Sequence, residues 1–391
     1  MKRTMLAACA AMIVLTAGGC ANAGGTSDLT AAPETVASVS THSDAEIMKM
    51  LPKGVKTEQV GEPTGASWKL QADFAGDGKK ETVAFFSRTD ESGSRGFVFL
   101  KEDKDGLVKV AQQEEVAPEI NWGGVVTSPG NPPLLAVGWH FGAAAGTGME
   151  FYRYDGQQFK TVARIFENKV QILTDKDGTK YMAVWQNDTG DAYAIRFVTI
   201  NSAGKIVPYT PQDVSIFDER IASYQKSLKA MPEAVFYWYY LADAQLQAGH
   251  VADASASLAK AEEFKIKHPS FYPGNVLLEG KRAEILMAEK KFGESATMLN
   301  KILKNKGTDS QVQDDTIGFF GSKQAAFAQI YIDLGDTYRA LKQDKDATAQ
   351  YKLALAEVQK SDNWTDQGKD ISVYSTEMVL YNVAQQRLAG E

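Results

Sequence analysis

The sequence predicts a multidomain chain that is β first and α afterwards: three four-stranded β units followed by a superhelix of paired helices. Two periods predict it. Between residues 65 and 211, short runs rich in β-branched and aromatic residues alternate with glycine turn signals, a period-2 pattern. From 212 to 391 the apolar residues recur at helical spacing. A third feature, the first twenty residues, predicts the compartment.

Residues 1–19 read as a signal peptide. Lys2 and Arg3 precede an uncharged apolar run, Met5 to Ala17, which is shorter than the ~20 residues a spanning helix needs. Leu15-Thr16-Ala17-Gly18-Gly19-Cys20 then resembles the bacterial lipobox, with Ala17 where leucine is usual. The resemblance implies cleavage before Cys20 and acylation of its thiol. Ordinary signal cleavage, with Cys20 lost or free, is the alternative. The other cysteine, Cys9, leaves with the signal, so a lipidated mature chain has no disulfide in a compartment that would tolerate one. Residues 20–43 continue as a flexible tether of small and polar residues, with a reach of roughly 25 Å. Residues 44–64 form a short helix and linker: Ser43-Asp44-Ala45-Glu46 is a capping box opening a helix from Ala45 to Leu51, stopped by Pro52 and Gly54.

The formal charge is −7, and more acidic once Lys2 and Arg3 leave. Nucleic-acid binding, which needs a basic patch, is not expected. Polybasic attraction to anionic lipid is also missing, so membrane attachment rests on the acyl chains.

In the β region, Thr82–Phe86, Gly96–Leu100 and Ala192–Ile200 are strand patterns, and Asp77-Gly78, Asp105-Gly106, Asp155-Gly156, Asp177-Gly178 and Ala203-Gly204 are turns. The spacing divides the region near 66–115, 118–164 and 165–210, about four strands each, the size of a propeller blade. The stretch from Leu70 to Val83 resembles an FG-GAP/VCBS repeat, whose acidic loop joins two strands. Closed propellers typically have at least ~4 blades, so an open, pinwheel-like array is expected. The loop places Asp73, Asp77 and Glu81 at calcium-ligand spacing. Ala75 stands where a second carboxylate is needed, however, and Lys79 and Lys80 add positive charge. The competing reading is a metal-free hairpin held by Asx turns, with no cofactor. Gly142 to Gly148 precedes a strand rather than a helix, so it is not a phosphate loop. His140 has no second histidine nearby, and neither G-x-S-x-G nor H-E-x-x-H occurs, so no enzyme is expected.

In the α region, Trp238-x-x-Leu241-Ala242 with Ala254, Leu258 and Ala261 keeps the offsets of the tetratricopeptide (TPR) repeat. So does Tyr331-x-x-Leu334-Gly335-x-x-Tyr338 with Ala347, Tyr351 and Ala354. The chain is similar to the TPR family over this region. Ala283 to Leu303 reads as a degenerate repeat, and Thr376 to Leu388 as a capping helix. The resemblance implies a concave groove for a protein or peptide, with Phe236, Tyr239, Asp243 and Gln247, and in the later repeat Asp336 and Arg339, on its wall. Five consecutive aromatics, Phe236 to Tyr240, circle a helix completely, so some must be core. The alternative for them is burial against a neighbouring helix or the β region.

The leading expectation is a membrane-anchored extracytoplasmic scaffold that binds a protein or peptide partner in its helical groove. The second is recognition of envelope glycan or a small ligand by the β region. Ala21 after the lipidated cysteine permits the outer membrane in a Gram-negative cell.

Overall fold

A computed structural model describes residues 42–60, 67–127, 132–141, 147–306, 322–362, 364 and 371–390. The signal segment, Cys20 and all but the end of the tether lie outside the described residues. So does the core of the glycine-rich loop, 142–146.

Ser43 opens α1 (Asp44–Lys49) with the expected reciprocal capping box, Ser43 accepting from the Glu46 amide and Glu46 accepting from the Ser43 amide. The helix ends earlier than Leu51, at a cap on Met50. The linker after it is not bare. Its β1 (Val55–Thr57) pairs antiparallel with β3, a strand too short to announce itself by alternation.

Three antiparallel sheets follow in chain order. The first holds β1, β2 (Lys69–Ala72), β3 (Glu81–Arg88), β4 (Arg95–Asp103) and β5 (Gly106–Glu115). The second holds β6 (Glu119–Val126), β7 (Leu134–His140), β8 (Thr147–Tyr154) and β9 (Phe159–Glu167). The third holds β10 (Lys169–Thr174), β11 (Lys180–Thr189), β12 (Ala192–Ile200) and β13 (Ile206–Pro208). Among the described residues no backbone ladder joins one sheet to the next, and they close no ring.

The sheets are layered because their strands are apolar on both faces. In β7, Leu135, Val137 and Trp139 pack toward the first sheet, while Leu134 and Ala136 pack toward the third. In β3, Val83 and Phe85 face the second sheet, whereas Ala84 and Phe86 meet Ile47 of α1. This two-sided burial is why β3 and β7 read as continuous apolar runs rather than alternating ones.

The helical region runs α2 (Ile216–Ala230), α3 (Val235–Gln247), α4 (Val251–Lys267), α5 (Asn275–Ala288), α6 (Phe292–Asn305), α7 (Lys323–Ala340), α8 (Asp344–Val358) and α9 (Thr376–Ala389). Consecutive helices pack on one another. At the tightest crossing, Gly335 of α7 lies against Tyr351 of α8, and a Cβ on Gly335 would stand 2.4 Å from that ring.

The sequence boundary at 211/212 marks a change of secondary structure but not a break in packing. Asp175 of the third sheet accepts from the Gln212 amide and the Tyr209 hydroxyl, pinning the junction. Ala192 and Ala194 of β12 belong to the same core as α2, α3 and α5. The C-terminal segment closes the seam. Its β14 (Ser372–Val373) adds parallel to β9, and α9 sends Met378 and Val379 into the sheet core and Leu380 and Ala384 into the helical core.

Candidate functional site: a charged cavity between the helices and the third sheet

The aromatic run of α3 explains how this seam is built. Tyr237, Tyr239 and Tyr240 are buried, while Phe236 and Trp238 are half-buried. Tyr240 donates to Asp188 at 2.6 Å and Tyr237 donates to Asp191, two acids at the tip of the β11–β12 hairpin. Tyr224 of α2 meets the backbone of Tyr193 next to them. Buried tyrosines need such partners for their hydroxyls, and the hairpin supplies them. The run is therefore chiefly a dock for the sheet.

Beside this dock lies a cavity of about 470 Å³. Asp243 and Gln247 of α3 line it, with Lys281 and Glu284 of α5, Gln329, Asp333 and Asp336 of α7, Arg387 of α9 and Arg196 of β12. Four carboxylates and three cations thus converge from five elements. Lys281, 5 % exposed, places its ammonium 2.6 Å from Asp243 and also against Glu284. Burial pushes that ammonium down, but Asp243, Glu284 and the Tyr239 hydroxyl more than reverse it, so its pKa sits well above the ordinary lysine value. Arg387 Nε donates to Asp336 at 2.9 Å, and Tyr351 donates to the same oxygen at 2.7 Å.

Asp333 is different. It is 9 % exposed, its Oδ1 accepts from Gln329 Nε2 at 2.8 Å, and no cation lies within ion-pair distance among the described residues. Burial and the neighbouring Glu284 push its carboxyl well above the usual range. Pairs that i,i+3 and i,i+4 spacing places on one helix face (Lys281 with Glu284, Gln329 with Asp333, Asp333 with Asp336) carried a signal for this cluster that groove-position reasoning passed over.

Of the six residues expected on a groove wall, Asp243, Gln247 and Asp336 line this cavity. Tyr239 does not stand on an open wall: it is 2 % exposed, packed beneath the cavity beside Lys281, Leu277 and Ile330. Phe236 lies in a separate groove of about 700 Å³ with Phe271 and Tyr272. Arg339 stands behind the cavity, donating to the Arg387 carbonyl and lying over the Tyr351 ring.

At the acidic loop all three carboxylates are engaged by backbone. Asp73 accepts from the amides of Asp77 and Gly78 at 3.0 and 2.8 Å, and Asp77 accepts from that of Lys79. Glu81, 4 % exposed, accepts from Phe74 at 2.8 Å, and burial raises its pKa. Among the described residues no three acids, histidines or cysteines are grouped to hold a metal.

A smaller cavity of about 180 Å³ lies on the second sheet, lined by Glu115, Trp139, Phe141, Glu150, Arg164 and Phe166. Its buried Glu150 accepts from Trp139 Nε1 at 3.2 Å and from the Tyr152 hydroxyl, with Arg164 Nε 2.6 Å away. Burial, then the Glu150 charge, drives the Tyr152 hydroxyl far up.

No protein-family model matches the chain, and no curated protein matches it. Among solved structures it is similar to the crystal structure of BtubC (BKLC) from P. vanneervenii, at 15 % identity and a TM-score of 0.29, over 38 % of this chain and 57 % of that one. This chain therefore spans little more than half the length of that neighbour.

Proposed function

We propose that the chain is an extracytoplasmic lipoprotein, anchored through Cys20, that binds a polar segment of a protein or peptide partner in the charged cavity. The observation that carries this reading is the convergence of seven ionisable side chains around an unfilled space. Charges are costly to bury, and apolar residues of similar volume would serve packing as well or better. A space of this volume also suits a short peptide segment or a small ligand. Helix pairing with a glycine at the α7–α8 crossing fits a TPR-like array, and three layered sheets fit an open, pinwheel-like set of FG-GAP/VCBS-like units. No helix among the described residues is long and apolar enough to cross a membrane, which is compatible with attachment by lipid. In a Gram-negative cell the anchor would permit the outer membrane.

The cavity is closed in by β12 and α9, so it suits a short segment rather than a long helix laid through a groove. The test is capture of partners from native membranes with the wild-type chain and with Gln247→Trp, which fills the rim from an exposed position. Loss of partners with an unchanged melting curve supports the reading. Undiminished capture rejects it. A second reading, recognition of a glycan or small ligand by the β region, is favoured by the aromatic-walled cavity holding Glu115 and Glu150. Partners or ligands lost on Phe166→Ala but kept on Gln247→Trp would select it.

A further inference from the structure

We infer that the group this cavity takes is a cation, the ammonium of a lysine side chain, seated against Asp333. The inference rests on the reading of the cavity as a peptide site and names the chemistry it selects.

Asp333 is the one acid of the lining with no cation beside it among the described residues. Lys281 is spent between Asp243 and Glu284, and Arg387 is spent on Asp336. Arg196 approaches Glu167, whose ionised form it favours. Asp333 keeps one oxygen on Gln329 and offers the other, with no hydrogen-bond donor on it among the described residues. A carboxylate this buried is costly unless paired. The partner it lacks is a cation with N–H donors. The rest of the lining agrees: Met287, Ile195 and Ala194 give apolar wall for a methylene stem, and Gln247 stands exposed at the rim. An anionic ligand would face Asp243, Glu284 and Asp336, which already draw on Lys281 and Arg387. A metal ion would find no group of three ligands among the described residues.

The same geometry couples binding to a proton. Burial and the Glu284 and Asp336 carboxylates raise the Asp333 pKa, against Gln329 and Lys281, which lower it. An arriving ammonium pairs with the ionised carboxylate, so whatever proton Asp333 carries leaves to solvent. The ammonium keeps its own protons.

The experiment is isothermal titration of the purified full chain in detergent with N-acetyl-Gly-Lys-Gly-amide and with the same peptide carrying norleucine for lysine. Each titration is run at pH 7 in phosphate and in Tris. The lysine peptide is expected to bind at least about tenfold more tightly, the worth of a hydrogen-bonded charge pair. Any proton released from Asp333 shows as a difference in its heat between the two buffers. Asp333→Asn should abolish both the preference and the buffer dependence. If it unfolds, the wild-type preference for lysine over norleucine decides the point. Equal binding of the two peptides overturns the cation while leaving a peptide site standing. Binding of neither overturns it too, and capture by the wild-type chain against Gln247→Trp then judges the peptide reading separately. Lysine preference that survives Asp333→Asn overturns the role of Asp333.

Discussion

Gly335→Ala is the sharpest probe of how the helical region is held together. The added methyl would lie 2.4 Å from Cε1 and 2.7 Å from Cδ1 of Tyr351, a ring with no exposed surface. The ring must move, and overpacking of this kind costs about 1–3 kcal/mol. Moving it also withdraws the Tyr351 hydroxyl from Asp336, a bond to a charged acceptor worth about 1.5–3 kcal/mol. Alanine returns about 1 kcal/mol of helix propensity. The net is a loss of about 1.5–5 kcal/mol. Gly280→Ala in α5 is the control, because a Cβ there meets nothing within 4 Å. It should gain about 0.5–1 kcal/mol. Urea unfolding followed by circular dichroism compares the three proteins. A Gly335→Ala chain as stable as wild type, or one that gains as Gly280→Ala does, would refute the reasoning.

Lys281→Met leaves the half-buried Asp243 and Glu284 without their cation and should cost about 1.5–3 kcal/mol by urea unfolding; adding Asp243→Asn and Glu284→Gln should restore most of it. Glu167 is raised by burial to about 7, against Gln186 and Arg196, which lower it. With its folded value above the unfolded one, its contribution to stability is intact below about pH 4.5 and is lost as pH rises toward 7. Glu167→Gln, which keeps an oxygen for the Gln186 bond, should therefore stabilise the chain at pH 8 by up to ~3 kcal/mol and do nothing at pH 4; equal effects at both would contradict the assignment. Because the three acids of the 73–81 loop already accept backbone amides, added calcium should leave the melting temperature where it is. A rise abolished by Asp77→Ala would instead place an ion there. Cys20→Ala should release the chain from membranes without detergent, and retention there would dismiss the lipid anchor.

Local chemistry was the legible part of the fold. The Ser43–Glu46 box, the Asp-Gly turns and the strand Ala192–Ile200 stand where their residues put them, since each depends on neighbours a few positions away. The three sheets also follow the three units read from turn spacing. What joins distant segments was not legible. Nothing in Ser372-Val373 announces that it will pair with Ala163-Arg164, or that Asn382 will donate to the Ile206 carbonyl. At the site, repeat register placed Asp243, Gln247 and Asp336 on one wall. It misplaced Tyr239, because register cannot say that α5 and the third sheet would close over the inner face of α3. Asp333, Lys281 and Arg196 belong to the same cluster and are visible as charges among apolar helix and strand positions.

The central claim, that the charged cavity is where a partner binds, is tested most directly by photocrosslinking in living cells. A benzophenone side chain in place of Gln247 stands at the cavity rim, and one in place of Lys352, exposed on α8 and absent from the lining, serves as reference. A discrete adduct is predicted from position 247 that is missing from position 352. Adducts from 352 but not 247, or the same adducts from both positions, would contradict the claim.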